Sequence, residues 1–199
     1  MKNSMTRFFA ASGVPAGHLQ SLDGQVQAPA MNAGDYLFHQ GDVAPNLHLI
    51  GQGLAKMFYV THDGKEFVKP FLPEGSFAGS LVAQLEGRPS PFSAVCLEAV
   101  GAEVVPFSAL ETLFKKSPEA RSFGLRFFQE LALKKEKREY ELLCLPPAQR
   151  YRAFIEENPG LAARVKQKDI AHYLGITPIA LSRIRRRMKT PGPAYTSER

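Results

Sequence analysis

Residues 167–186 read QKDIAHYLGITPIALSRIRR, a window dense in side chains suited to a polyanion. Arg183 has the planar guanidinium that can donate two parallel hydrogen bonds to a guanine edge. Ile179 and Ala180 can rest against thymine methyl groups, with Ser182 beside them. Arg185, Arg186, Arg187 and Lys189 put four cations into five residues, a density that suits phosphates. Lys166, Gln167 and Lys168 offer a second set of phosphate contacts.

These groups act together only if the backbone presents them on one surface, and the intervening residues meet that demand. Ile170, Leu174, Ile176, Leu181 and Ile184 recur on the inner faces of two short predicted helices. Ala171 is small enough for a close crossing, and Gly175 tolerates the left-handed backbone of a sharp turn. Thr177 can cap the second helix and Pro178 occupies its first turn. The window therefore predicts a helix-turn-helix, with Ile179, Ala180, Ser182, Arg183, Arg186 and Arg187 facing outward. An ordinary helical hairpin with a solvated charged face is the alternative.

The charge distribution agrees with a nucleic-acid partner. The 199 residues carry a net charge of +6, but residues 1–114 hold 6 basic and 10 acidic side chains, while residues 115–199 hold 19 basic and 9 acidic. A front at −4 and a back at +10 suggest a sensing or scaffold module followed by one that meets phosphates. Cys96 and Cys144 are too few for a disulfide framework or an iron–sulfur site, so reduced thiols in the cytoplasm are expected. No apolar run reaches the roughly 20 residues of a membrane span, and Phe8-Phe9-Ala10-Ala11 is short for a secretory signal.

From residue 25 to about 107 the chain reads as short strands punctuated by turns, the pattern of an antiparallel barrel or sandwich. Ala33-Gly34-Asp35 and Gln40-Gly41-Asp42 bracket a strand at 36–38. Residues 47–50 and 54–60 flank Gly51-Gln52-Gly53, and Asp63-Gly64 separates 57–60 from 66–72, which predicts two linked hairpins. Residues 94–97 and 99–107 complete the set, with Gly101 as a bulge or turn. Ser117-Pro118-Glu119 then starts a helix that runs until Pro146-Pro147, about 28 residues or roughly 40 Å. Its Phe123, Phe127, Phe128 and Leu131 can pack on the barrel or on a second subunit. A helix at 148–157 leads into the basic window.

A glycine-punctuated barrel, a long helix and a helix-turn-helix, in this order, resemble the cyclic-AMP receptor/FNR superfamily of bacterial transcription regulators, over roughly residues 25–188. Gly34-Asp35, Gly41-Asp42, Gly75-Ser76-Phe77 and the stretch 77–94 resemble its barrel with the phosphate-binding cassette, and Leu174-Gly175-Ile176-Thr177-Pro178 resembles its DNA-binding turn. The resemblance implies an α+β fold: an N-terminal jelly-roll barrel domain over 1–116 with flanking helices, a dimerisation helix over 117–145 and a helix-turn-helix domain over 146–199. It implies a homodimer, with double-stranded DNA and RNA polymerase as partners and no enzymatic activity, cofactor or membrane.

Several positions depart from the family pattern. Nucleotide-binding members carry a Glu after the cassette glycine and an Arg before Ser-Ala; here Ser80 follows Gly79, and Phe92 precedes Ser93-Ala94. Burying an anion against Phe92 is unfavourable, so the pocket around Phe77, Gly79, Ser80, Leu81, Phe92, Ser93 and Cys96 is expected to be self-filled or to take a small apolar effector. His39 and His48 are the haem-ligand candidates, and both read better as turn or core residues. Residues 190–199 are too few and too rich in Pro and Gly for the family's C-terminal wing; Lys166 stands where a capping Ser or Thr is common, and Ile179 replaces a frequent Glu. The alternatives are a ligand- or partner-binding barrel whose helix-turn-helix is only structural and, more remotely, a cupin-type enzyme, although no metal-ligand spacing supports it.

Overall fold

In the computed structural model, which describes residues 4–189, the strands pair with partners distant in sequence. The strands are β1 (Ala30–Met31), β2 (Tyr36–Phe38), β3 (Asn46–Gln52), β4 (Ala55–Val60), β5 (Glu66–Leu72), β6 (Phe77–Ala78), β7 (Ser93–Cys96) and β8 (Val100–Pro106). They form two antiparallel four-stranded sheets, ordered β1-β8-β3-β6 and β2-β7-β4-β5. The expected barrel is thus a double sheet, its strands apportioned between two separate ladders.

Asp63-Gly64 closes the β4–β5 hairpin as the sequence predicts: Gly64 takes φ +79°, and the Thr61 and Lys65 backbones bond across the turn at 3.0 Å. The expected hairpin at 51–53 is a different feature. β3 belongs to one sheet and β4 to the other, so the chain crosses between sheets there. Gly53 passes so close to Ala99 that a Cβ would lie 2.0 Å from its carbonyl oxygen, which only glycine allows. The β3–β8 register shifts between Ile50 and Gln52, with Gly101 opposite Gln52, so the extra residue of the bulge is Gly51.

Two apolar clusters lie on the two faces of β3 and β8. Between the sheets, Ile50, Val100 and Ala102 pack with Phe38, Leu72, Phe92 and Ala94. On the opposite face, Leu49 and Val105 pack beneath a helical layer that the strand pattern did not reveal. That layer comprises α1 (Ser4–Ala11), the short α2 (Ala16–Leu19) with a 3-10 turn at Gln20–Leu22, and α4 (Phe107–Lys116); α3 (Leu81–Glu86) follows β6. Met5, Phe9, Leu22, Leu110 and Leu113 supply its buried side chains.

The predicted long helix is α5 (Pro118–Cys144), followed by α6 (Pro147–Glu157), α7 (Pro159–Arg164), α8 (Gln167–Tyr173) and α9 (Pro178–Lys189). By internal contacts the chain divides into two compact units, Met1–Glu136 and Lys137–Arg199, so the division falls inside α5. Residues 190–199, read as too few for the family's C-terminal wing, lie outside the described residues. No helix among the described residues is long and apolar enough to cross a membrane.

Ser117 caps α5: its hydroxyl accepts from the Ala120 N–H at 3.2 Å and donates to the Glu119 carboxylate at 2.7 Å, while its side chain is fully buried. Ser117→Ala removes a cap acceptor from a buried helix start and is expected to cost about 0.5–2 kcal/mol in urea unfolding. An unchanged midpoint would show that Ala120 finds another acceptor.

Candidate functional site

The C-terminal unit turns on the junction between α8 and α9. Gly175 takes φ +66° and donates to the His172 carbonyl at 3.3 Å, while Ile176 donates to the Ala171 carbonyl at 3.0 Å. This crossed pair is a Schellman motif, which satisfies carbonyls at the end of α8 and reverses the chain. Thr177 then accepts from the Ala180 N–H at 3.2 Å and caps α9, with Pro178 at its first position. Ile170, Ala171, Leu174 and Leu181 are buried together with Val165 and Phe154. Lys166 precedes α8 without a side-chain cap, as its type predicts. On the other side of the unit, the Arg138 guanidinium lies 3.8 Å over the Tyr173 ring and donates to the Tyr173 carbonyl.

The side chains expected to face a partner are outward. Ile179 is 68% exposed against 1% for Leu181, two positions on. Ser182, Arg183, Arg186 and Arg187 are exposed, as are Lys166, Gln167, Lys168, Thr177 and Pro178, while Ala180 and Arg185 are half-buried. Gln167, Pro178, Ser182, Arg185 and Arg186 border one cleft of about 410 Å³, so residues from the starts of both helices meet on a single surface. Lys189 ends α9, and its side chain lies outside the described residues.

In the N-terminal unit, the seven residues expected to line one effector pocket fall in two places. Phe77, Gly79 and Leu81 border a cavity shared with α4 and α5. Ser80 is fully buried and caps α3, accepting from the Ala83 N–H at 3.5 Å. Phe92 and Cys96 instead belong to the core between the sheets, and the buried Ser93 hydroxyl accepts from the Gln40 N–H at 2.9 Å. Burial pushes the Cys96 thiol above its usual range, which makes it a weak nucleophile.

Phe92 fills its surroundings. The Phe38 and Tyr59 rings each stand 5.7 Å from it, and the Lys69 ammonium lies 3.7 Å from its centroid and 4.9 Å from that of Tyr59. A cation therefore returns to the neighbourhood of Phe92 from β5, a residue the sequence reading passed over. Its signal was a lysine inside the apolar run Phe67-Val68-Lys69-Pro70-Phe71-Leu72. Burial, and then the charge of Lys135, push the Lys69 amine down to about 8. His48, buried in β3, is held below the usual histidine range by desolvation, and His39 stacks on Tyr36 at 4.0 Å, so each occupies the core or turn position expected of it.

Comparison with known proteins adds to this geometry. Residues 30–117 match the cyclic nucleotide-binding domain family. Over 188 residues the chain is 26% identical to the transcriptional activator protein Anr of Pseudomonas aeruginosa, covering 87% of this chain and 75% of that one. These similarities support a place in the Crp/Fnr superfamily. A second relative, the electron transport regulator A of Shewanella oneidensis, is 26% identical over 189 residues, covering 89% of this chain and 75% of its own. The Crp/Fnr fold extends to solved structures. FixK2 from Bradyrhizobium japonicum superposes with a TM-score of 0.74 at 16% identity, over 87% of this chain and 89% of that one. A CooA variant from Carboxydothermus hydrogenoformans gives 0.67 at 14%, over 86% and 83%.

The Lys69 geometry carries a signed pH dependence. Below about pH 8 the amine is charged in both folded and unfolded chains, and the folded state bears the full desolvation penalty. Between pH 8 and 10.5 the folded chain releases this proton first, the unfolded chain holds more protons, and stability rises with pH. Relative to Lys69→Met, wild type should therefore gain stability across that window, read by urea unfolding at pH 7 and 10. A constant difference would place Lys69 in water.

Proposed function

We propose that this chain is a homodimeric, sequence-specific DNA-binding transcription regulator whose N-terminal unit responds to an effector other than cyclic AMP. The observation that carries the reading is the α8–α9 surface: a Schellman turn and a capped second helix, with Leu181 inward and Ile179, Ser182, Arg183, Arg186 and Arg187 outward, in the basic half of the chain. Two curated relatives are named as a transcriptional activator and an electron transport regulator.

In this reading α9 enters the major groove, Arg183 takes a guanine edge, and Arg186, Arg187, Lys166 and Lys168 neutralise phosphates. Dimerisation through α5 is supported by Leu125, Leu133, Tyr140 and Leu143, all large apolar side chains left exposed along that helix. A two-fold axis would then set two copies of α9 about one DNA turn, roughly 34 Å, apart on a near-palindromic site. An effector acts by binding one arrangement of the dimer better than the other, and only that difference in affinity can shift the population.

Cyclic AMP is a poor fit to Phe92. Its ring is flanked by Phe38 and Tyr59 and covered by Lys69, and the lysine ammonium is already seated on aromatic faces. Calorimetric titration with cyclic AMP is expected to show no binding in the micromolar range, and heat of binding there would refute that part of the reading.

For the DNA end, Arg183→Ala is expected to lose about 1–3 kcal/mol on the selected site and to relax preference at one base pair. Arg187→Ala should weaken all sequences alike and flatten the dependence of affinity on salt. Sequence selection followed by anisotropy titration reads both; an unchanged consensus for Arg183→Ala would remove its role in base recognition.

A further inference from the structure

The helical layer over the first sheet leaves a cavity of about 100 Å³. Its walls include the rings of Phe77, Phe114, Phe127 and Phe128, with Met57 and Leu131. Protein interiors hold few voids larger than a water molecule, so an opening of this size lined by aromatic side chains is unusual. The one polar side chain on its wall is Gln84, whose amide already donates to the Asn46 carbonyl at 2.9 Å. Phe127, Phe128 and Leu131 on its α5 side are half-buried, so the cavity is partly open, and its lining offers a water one polar side chain where two to four partners are needed.

We propose that this cavity is a binding site for a small uncharged apolar molecule of single-ring aromatic size. Apolar cavities of comparable volume, on the order of 150 Å³, stay dry and admit benzene. The ring geometry suits an aromatic guest. Phe77 and Phe127 meet edge to face at 5.4 Å and 82°, and Phe127 and Phe128 at 5.6 Å and 74°, so edges and faces are both turned toward neighbouring rings. No charged side chain lines the cavity, so an anion or cation entering it would lose its hydration without compensation.

Two glycines help to keep the space open. Gly124 on α5 has room for a Cβ, which would rest 3.4 Å from the Phe114 ring, so anything longer must share the space beside that ring. A Cβ at Gly79 would lie 2.4 Å from the Gln84 amide nitrogen and 3.0 Å from Leu47. Phe92 does not line the cavity, whose wall reaches the core between the sheets only at Met57. It is bounded by α5 through Gly124, Phe127, Phe128 and Leu131, so a guest touches the helix assigned to dimerisation. In that respect the inference rests on the function proposed above and gives its effector a chemical class and a seat.

The test uses the full chain, benzene as probe and benzoate as its charged counterpart. Benzene at millimolar concentration is expected to raise the thermal midpoint of wild type saturably, and benzoate to leave it unmoved. Gly124→Leu places a side chain in the cavity and should abolish the benzene response while remaining folded; Leu81→Phe fills it from α3 should the first variant misfold. No response in wild type, an equal response to benzoate, or an undiminished response in a folded filled variant would each overturn the site. A second arm measures DNA affinity with and without saturating benzene, where a change of about 5-fold or more is expected of an effector, and an unchanged affinity overturns the effector assignment. Failure of DNA binding itself shows in the benzene-free titration, whereas failure of the cavity shows in the thermal arm, which contains no DNA.

Discussion

β3 must be covered on both faces. Leu49 and Ile50 are adjacent, their side chains leave the strand in opposite directions, and both are buried. Ile50 needs the second sheet, and Leu49 needs a layer on the other side; Val105 and Val100 repeat the demand on β8. The helical layer of α1, α2 and α4 answers it, and the start of α5 joins through Ala120. Where that layer meets β6 and α5 the cover is incomplete. The cavity among Phe77, Phe114 and Phe127 is the result.

The same constraint separates two kinds of interior. Between the sheets, Phe92 is packed against Phe38 and Tyr59 and roofed by Lys69, whose amine has lost much of its water. Under the helices, the space is apolar and open to occupation. Phe92, read in the sequence as standing where nucleotide-binding members carry Arg, shares its surroundings with a lysine from β5, two strands away in the same sheet, while the cavity beside α5 lies elsewhere in the unit.

The C-terminal unit obeys a more local logic. Gly175 reverses the chain because only a left-handed residue lets Ile176 reach back to Ala171, and Thr177 restarts the helix at once. Four buried residues then fix which face of α9 is left over. Arg183, Arg186 and Arg187 are outward because Leu181 is inward, and the basic surface is a by-product of that packing as much as of composition.

How much of this was legible in the sequence follows from the range of the forces involved. The Schellman turn, the Thr177 and Ser117 caps, the Asp63-Gly64 hairpin and the extent of α5 were readable because each depends on hydrogen bonds within a few residues and on the fixed φ of Gly or Pro. The outward face of α9 was readable for the same reason, since 3.6-residue periodicity sorts it. The crossing at Gly53 was read as a hairpin because its glycine answers a contact with Ala99, a residue 46 positions away. The helices at 4–11 and 107–116 were expected only as unplaced flanking helices implied by the resemblance, because their burial is imposed by a sheet distant from them in sequence. Strand partnership, the place of Lys69 on Phe92 and the cavity beside α5 were decided only in the tertiary structure, where side chains distant along the chain compete for the same volume.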